Sequence, residues 1–422
     1  MDSENYIPRS VEEYAFDGEL TGRHMVFLAG PRQAGKTMLA RKWLEKKKSS
    51  PLYFNWDDPS TRRAYLADSR FFESPARSLG ISDPWIVFDE IHKRSHWQDI
   101  LKGAHDLFGK EFRFLITGSA RLDLFLRSGD SLVARYNLFH MMPLNLREIA
   151  RRRPSRCFLE ERQPARLSDA FECEVSDPPG SATVEAFEGL WLNGPFPEPF
   201  LKQNERFSRK WHQDYLSLVI REDLKDISRV VEIDKVENLL FLLPDRVAAP
   251  LSMANLAHDL EVAHTTVKNW LDQLKKLYLL FPVAPWAEKI SRGLKKENKW
   301  YFLDWYYVPD EPARLENMVA SFLYRACQAM TDKGMGEFRL HYIRTLDKKE
   351  IDFLVTADRR PVLAVEVKAG ETGLSGTMRT RGKWFPRTPT LGVQVVNRRG
   401  VLQKHSDNTW LVSVERFLSL LP

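Results

Sequence analysis

Apolar and polar positions follow two rhythms along the chain. From residue 25 to 150, short apolar runs at Met25–Ala29, Leu52–Trp56, Trp85–Phe88 and Phe112–Thr117 predict buried strands. Amphipathic stretches near Lys36–Lys47, Ser60–Arg70 and Trp97–Phe108 predict helices between them. Strands alternating with helices imply a mainly parallel sheet covered on both faces. Residues 151–186 break this rhythm with RRRPSR, scattered acids and SDPPGS, and are expected to be a linker or lid insertion. Helical periodicity resumes over 187–280, notably around Trp211–Ile220 and Val236–Leu243. There Ser252 is expected to cap a helix that turns Leu256 and Leu260 inward. After the turn Glu261–His264, Thr265 would cap a second helix bearing Val267, Trp270, Leu271 and Leu274. That is helix-turn-helix spacing, and Leu279–Leu303 places two apolar-aromatic runs around a basic stretch, as a hairpin wing would. A last unit, 311–422, is expected to hold a helix around Leu315–Met330 and strands at 338–344, 351–356 and 362–367.

Composition narrows the class. At about 100–200 residues per domain, 422 residues predict about two to four domains, and 43% apolar content excludes a disordered chain. Cys157, Cys173 and Cys327 are odd in number and widely spaced, which fits neither a disulfide framework nor a zinc knuckle. The longest apolar run, Leu239–Leu243, is far below the roughly 20 residues that span a bilayer, and MDSENYIPRS is not a secretory pattern. A reduced cytoplasmic protein with no membrane partner is expected. Sixty-three basic against 57 acidic residues give a mild net +6, which permits an acidic partner without demanding one. The basic runs are Arg151–Arg153 with Arg156; Lys289, Arg292, Lys295, Lys296 and Lys299; and Arg379, Arg381, Lys383 and Arg387. Taken singly, each is more often a solvated face than a ligand site.

Gly30-Pro31-Arg32-Gln33-Ala34-Gly35-Lys36-Thr37 fits GxxxxGK[ST] and stands between a strand and a helix. The glycines let successive N–H groups point at phosphate, the helix N-terminus adds its dipole, Lys36 reaches the β- and γ-phosphates and Thr37 ligates Mg²⁺. The bland alternative, a glycine turn ahead of a helix, does not require the whole motif in this context. Trp85–Glu90 is an apolar strand ending in two acids, of which Asp89 would hold Mg²⁺ and Glu90 polarise the attacking water. The interval from Lys36 to Asp89 leaves room for an intervening strand, Leu52–Trp56, which suits the P-loop branch with an extra strand and a catalytic glutamate. Thr117 and Ser119 compete for the role of sensing the γ-phosphate, and Arg135 is a candidate arginine finger. Each also has an ordinary reading, as a strand exit or a surface arginine.

Together GPRQAGKT, VFDEIHK, LITGSARL and SLVARYNLFHMMPLNLREI resemble the AAA-type ATP-binding proteins of bacteria and archaea that carry a C-terminal domain of formerly unknown function. The resemblance extends through NGPFPEPF and YLSLVIREDL to the helix-turn-helix and the final EIDFLV…AVEVK, so it covers almost the whole chain. It implies an ATPase fused to a DNA-type winged helix and a nuclease-like fold.

Asp352 and Glu366-Val367-Lys368 lie on two strands joined by the turn Ala357–Pro361, and Glu366 and Lys368 project from one face. This D…ExK pair resembles the PD-(D/E)xK nuclease core, in which Asp352 and Glu366 would ligate Mg²⁺ and Lys368 would orient the attacking water. Glu316, on the preceding helix, stands where many such folds place a further acid. ExK also occurs at Glu45–Lys47 and Glu297–Lys299, so the tripeptide alone carries little, and such folds often persist as binding modules. Wing lysines within 289–299 would contact DNA phosphates, although a helix-turn-helix can equally be a packing surface with Trp270 in its core.

The expected fold class is therefore α/β: a P-loop NTPase parallel sheet over 1–150 and the insertion at 151–186 come first. A helical and winged-helix domain at 187–310 and a small α/β nuclease-like domain at 311–422 follow. The expected function is Mg²⁺-dependent ATP binding and hydrolysis coupled to DNA engagement, with nuclease activity open. The alternative is a slow nucleotide-gated switch that binds another protein, its nuclease-like module non-catalytic. A homo-oligomer is left open.

Overall fold

The computed structural model describes residues 6–118, 122, 132–150, 157–161, 164–227, 232–286, 297–344, 349–370, 373–385, 390–405 and 408–422. The chain divides into two compact units, Met1–Pro143 and Leu144–Pro422.

In the first unit the apolar runs form an all-parallel sheet of β1 (Met25–Ala29), β2 (Tyr53–Asn55), β3 (Trp85–Asp89), β4 (Arg113–Thr117) and β5 (Tyr136–His140). The order across it is β2-β3-β4-β1-β5. Burial on both faces explains why β1 and β3 are continuously apolar rather than alternating. One face packs Phe27, Phe88 and Phe114 against Trp97, Leu101 and Phe108 of the helix Trp97–Phe108. The other packs Val26, Leu28 and Val87 against Leu39, Trp43 and Leu44 of the helix Lys36–Lys46. An inserted strand does separate the two motif strands, but it is β4; the stretch Leu52–Trp56 supplies β2 at the sheet edge. A sequence interval cannot reveal this, because chain order and sheet order differ by a crossover.

The second unit is built on a mixed sheet in the order β12-β13-β11-β10-β9-β8-β6-β7. Its strands are β6 (Leu280–Pro285), β7 (Lys299–Phe302), β8 (Phe338–Arg344), β9 (Glu350–Ala357), β10 (Arg360–Lys368), β11 (Leu391–Val396), β12 (Leu402–His405) and β13 (Thr409–Ser413). The hairpin β6–β7 forms as the two apolar-aromatic runs predict, yet β6 also pairs in parallel with β8. The expected boundary near residue 310 is therefore crossed by one continuous sheet. The 22-residue helix Glu311–Asp332, N-capped by Asp310, buries Leu315, Met318, Phe322 and Met330. Met253–Asp259 and His264–Lys276 form the expected helix pair. Ser252 accepts from the Asn255 N–H as its cap, whereas the second helix starts at His264 after Ala263, one residue before the expected cap Thr265.

Residues 157–176 also differ from expectation. Cys157, Phe158, Leu159, Leu167, Phe171 and Val175 are core residues of the second unit. The Phe171 ring meets Trp410 at 5.8 Å, and Arg416 donates to the Val175 carbonyl at 2.6 Å. The helix Pro164–Ser176 carries charges between its apolar positions, and the prolines and arginines around it mask its period. The run Arg151–Arg153 with Arg156 lies outside the described residues, as do Lys289, Arg292, Lys295, Lys296 and Arg387.

Candidate functional sites

At the carboxyl end of the first unit's sheet, the loop after β1 curls into the helix Lys36–Lys46. Gly30 has φ 151°, and a Cβ there would lie 2.2 Å from the Met141 carbonyl oxygen, so only glycine fits. Gln33 (φ 59°) and Gly35 (φ 101°) hold left-handed positions around buried Ala34. Arg9 ties the loop from outside, donating from Nη1 to the Ala34 carbonyl at 2.7 Å and from Nη2 to the Met142 carbonyl at 2.5 Å. The Lys36 ammonium is folded into the loop, on the carbonyls of Gly30 (3.0 Å) and Pro31 (2.6 Å).

Parallel register brings Asn55, Asp89 and Thr117 level at the ends of β2, β3 and β4. Asp89 is buried and accepts three hydroxyls: Thr37 Oγ1 at 2.9 Å, Tyr53 Oη at 2.5 Å and Thr117 Oγ1 at 2.5 Å. Of the two competing hydroxyls, that of Thr117 is thus committed to Asp89, and Ser119 lies outside the described residues. Burial, and then the charge of Asp89, push the Tyr53 phenol well above its usual pKa. Glu90 follows in a left-handed conformation (φ 58°, ψ 24°). Its pKa is raised above an ordinary carboxylate, first by burial and then by Asp89, against the opposing charges of Lys93 and Lys36. His92 Nε2 is 3.4 Å and Lys93 Nζ 3.7 Å from Glu90 Oε2. Gly118 makes room for the buried His92 ring, since a Cβ there would lie 2.9 Å from Nδ1.

The pairing of Thr37 with Asp89 brings a hydroxyl and a carboxylate together beside the glycine-rich loop, a donor set that fits Mg²⁺. Arg135 is not part of this arrangement. It precedes β5, which runs parallel to β1 from Met25↔Tyr136 to Ala29↔His140, so it sits at the opposite end of the sheet. Five strand steps of about 3.3 Å each, from Arg135 to the His140 level that pairs with Ala29, place its backbone roughly 17 Å from the loop end, and it is paired with Asp106 at 2.7 Å.

The second unit gathers its own polar cluster. Asp352 lies at an irregularity where Tyr342 of β8 opposes Asp352 and Phe353 of β9, between the pairs His341↔Leu354 and Ile343↔Ile351. It accepts from the Val367 N–H at 2.8 Å. Its pKa is raised well above the usual range, by burial first and by Glu316 next, against Lys299. Glu366 of β10 accepts from Lys368 Nζ at 3.1 Å and from the Ser375 hydroxyl. Its register partner on β11 is Gln394, which accepts from the Ser375 N–H at 2.7 Å and donates to the Gly373 carbonyl at 2.9 Å. Glu316, on the long helix, accepts from Tyr301 Oη at 2.7 Å and Lys299 Nζ at 3.3 Å.

Lys299 corrects an expectation. Its side chain is 1% exposed and its ammonium pairs with Glu316 and Glu350, so it does not extend from a wing toward phosphates. Burial opposes its charge, but Glu316, Glu350 and Asp352 outweigh that and hold its pKa above the usual value. Among the described residues no three His, Cys, Asp or Glu side chains converge as a metal site requires, and this includes Glu316, Asp352 and Glu366. Cys327 is buried, its thiol pushed up to about 12 by burial, as expected of an inert core cysteine.

Sequence reasoning missed Arg9, Tyr53 and His92 in the first unit, and Tyr301, Ser375 and Gln394 in the second; it named Lys299 but gave it to the wing. Only His92 carried a signal, its place directly after the acidic pair in VFDEIHK.

Three families match the chain. Residues 22–150 match an AAA domain, residues 184–305 a domain of unknown function (DUF8612) and residues 313–417 another domain of unknown function (DUF4143). The chain is an AAA-type P-loop protein, a nucleotide-binding class, with a C-terminal domain of unknown function. It is similar to the uncharacterized protein Rv2008c of Mycobacterium tuberculosis, 26% identical over 84% of this chain and 73% of that one. It is also similar to the uncharacterized protein MJ1637 of Methanocaldococcus jannaschii, 25% identical over 83% and 76%. Among solved structures, the Aeropyrum pernix ORC1 protein in complex with DNA aligns at 14% identity and a TM-score of 0.29, over 70% of this chain and 86% of that one. No described helix is long and apolar enough to cross a membrane.

Proposed function

We propose that this protein is a Mg²⁺-dependent ATPase that couples its nucleotide state to engagement of DNA. The observation that carries the first half is the Thr37–Asp89 hydrogen bond at 2.9 Å beside Lys36, with Glu90 next along the chain. Thr37 and Asp89 would hold the metal, which when bound shields phosphate charge. The Lys36 ammonium, now on the loop's own carbonyls, would turn to the β- and γ-phosphates. Thr117 fixes Asp89 from the neighbouring strand, and Glu90 orients and accepts a proton from the attacking water. DNA engagement is supported by the second helix of the pair, His264–Lys276. It buries Val267, Trp270, Leu271 and Leu274 and leaves His264, Thr265, Lys268, Asn269, Lys275 and Lys276 exposed, the side-chain types that contact phosphates and bases.

Steady-state ATP hydrolysis with Mg²⁺, with and without duplex or single-stranded DNA, tests both halves. Glu90→Gln is expected to abolish turnover while keeping ATP binding, and Lys36→Ala to lose ATP binding. Unchanged nucleotide affinity in Lys36→Ala would sink the assignment. Stimulation by DNA in the wild type, absent in Glu90→Gln, is the expected sign of coupling. Slow turnover indifferent to DNA favours the second reading, a nucleotide-gated protein-binding switch. The observation behind that reading is the buried Lys299 among the acids of the nuclease-like module.

A further inference from the structure

The nuclease resemblance calls for a divalent metal between Glu316, Asp352 and Glu366, and the side chains present do not fit one. Lys299 enters from β7, an edge strand of the sheet, and lies at 1% exposure with Nζ against Glu316 and Glu350. Its ammonium also lies 5.4 Å from the Tyr342 ring centroid, so carboxylates and an aromatic face surround it. Tyr301, two residues along the same strand, occupies a further lone pair of Glu316 at 2.7 Å. Asp352 takes the Val367 N–H at 2.8 Å, and Glu366 accepts from Ser375 and from Lys368 at 3.1 Å. Each of these carboxylates accepts at least one protein donor, and the place a cation would take between Glu316 and Glu350 is filled by the Lys299 ammonium. Among the described residues, no three acids or histidines converge on one point.

We infer that the Lys299 ammonium is the resident cation of this acidic pocket, and that the C-terminal module holds no catalytic divalent metal and does not cut phosphodiesters. A lysine differs from a metal in its consequences. It is covalently fixed, it offers only hydrogen-bond donors, and it cannot lower the pKa of a bound water to make a nucleophile. Removing it would leave Glu316 and Glu350 half-buried with no ammonium between them, which is the situation a divalent cation stabilises.

The test uses the full chain without nucleotide or DNA, so its outcome is independent of the ATPase assignment. Thermal unfolding is followed while Mn²⁺ is titrated into the wild type, Glu316→Gln and Lys299→Met. The wild type and Glu316→Gln are expected to respond alike, because whatever Mn²⁺ the P-loop takes is common to both. Lys299→Met is expected to start less stable and to recover with Mn²⁺. A Mn²⁺ stabilisation of the wild type that Glu316→Gln removes would overturn the inference. So would a folded Lys299→Met protein with no greater Mn²⁺ response than the wild type. If Lys299→Met does not fold, the comparison of wild type with Glu316→Gln still decides. As a second readout, supercoiled plasmid incubated with the wild type and Mn²⁺ is expected to stay intact, and nicking lost in Asp352→Asn would count against the inference.

Discussion

Glu90 holds a left-handed backbone conformation (φ 58°, ψ 24°) that costs a non-glycine residue about 1–3 kcal/mol and aims its carboxylate beside His92 and Lys93. Its pKa is raised by burial and by Asp89, with Lys93 among the charges that oppose the rise. A base works only when deprotonated, so hydrolysis should fail at a higher pH than an unperturbed glutamate would allow. Replacing Lys93 by Met removes an opposing positive charge and raises that pKa further. The acid limb of kcat against pH should therefore move to higher pH in Lys93→Met, with the plateau at alkaline pH little changed. A pH–rate profile of the two proteins under saturating ATP checks this, and a limb that stays put or moves to lower pH removes Glu90 from the role of base. A second residue-scale prediction concerns stability. His212 is buried, its Nδ1 2.6 Å from the Ser208 carbonyl and its Nε2 2.9 Å from Asp304, and its ring stacks on Tyr306 at 3.7 Å. His212→Phe keeps an aromatic ring but leaves the buried Asp304 carboxylate short of a donor, a loss of at least about 2 kcal/mol. Urea unfolding followed by tryptophan fluorescence should show it, and an unshifted midpoint would mean water replaces the histidine.

The elements that matter for the first unit were legible because burial on both faces writes strands as continuous apolar runs. Met25–Ala29 and Trp97–Phe108 have the predicted ends. Strand β5, in contrast, reads YNLFH, with polar residues between apolar ones and its first three positions only partly buried, and the charged Arg135 directly precedes it. That arginine is paired with Asp106 at the far end of the sheet, information that lies in register and not in spacing. The second unit's cluster was half legible. Asp352, Glu366 and Lys368 follow from a hairpin and a period of two, whereas Lys299 arrives on an edge strand more than fifty residues earlier, inside what reads as a basic run. The helix pair was visible from its apolar spacing, and its polar residues permit a prediction on DNA. Lys268 is exposed near the start of the helix His264–Lys276. If it contacts a phosphate, Lys268→Ala should weaken binding by a similar factor on unrelated sequences and lower the salt slope by about 1. Fluorescence anisotropy across a salt series measures both, and an unaltered slope would place the DNA contact elsewhere or nowhere.

At the scale of the whole chain, the question is whether the P-loop unit and the second unit share a free energy. A nucleotide-dependent DNA binder must show it in both directions, because coupling between two ligands is reciprocal. If ATP raises DNA affinity by some factor, DNA must raise ATP affinity by the same factor, whatever path the coupling takes. Glu90→Gln is the protein in which to measure this, since it should bind ATP without consuming it and so keep both measurements at equilibrium. Couplings of this kind are typically about 5–150-fold, well inside the range of anisotropy with labelled DNA and of titration with a fluorescent ATP analogue. The expected result is a DNA affinity raised by ATP in Glu90→Gln, an equal rise in ATP affinity with DNA, and neither effect in Lys36→Ala. Equal affinities with and without the second ligand would mean the units act independently. The same cycle should then be run with a protein ligand in place of DNA, because a switch obeys the same reciprocity and differs only in what the second unit holds. If Lys299 is the resident cation of the acidic pocket, the Glu90→Gln complex should also be stable in Mn²⁺ without consuming its DNA. That lets the DNA cycle be closed under the metal conditions a nuclease would need.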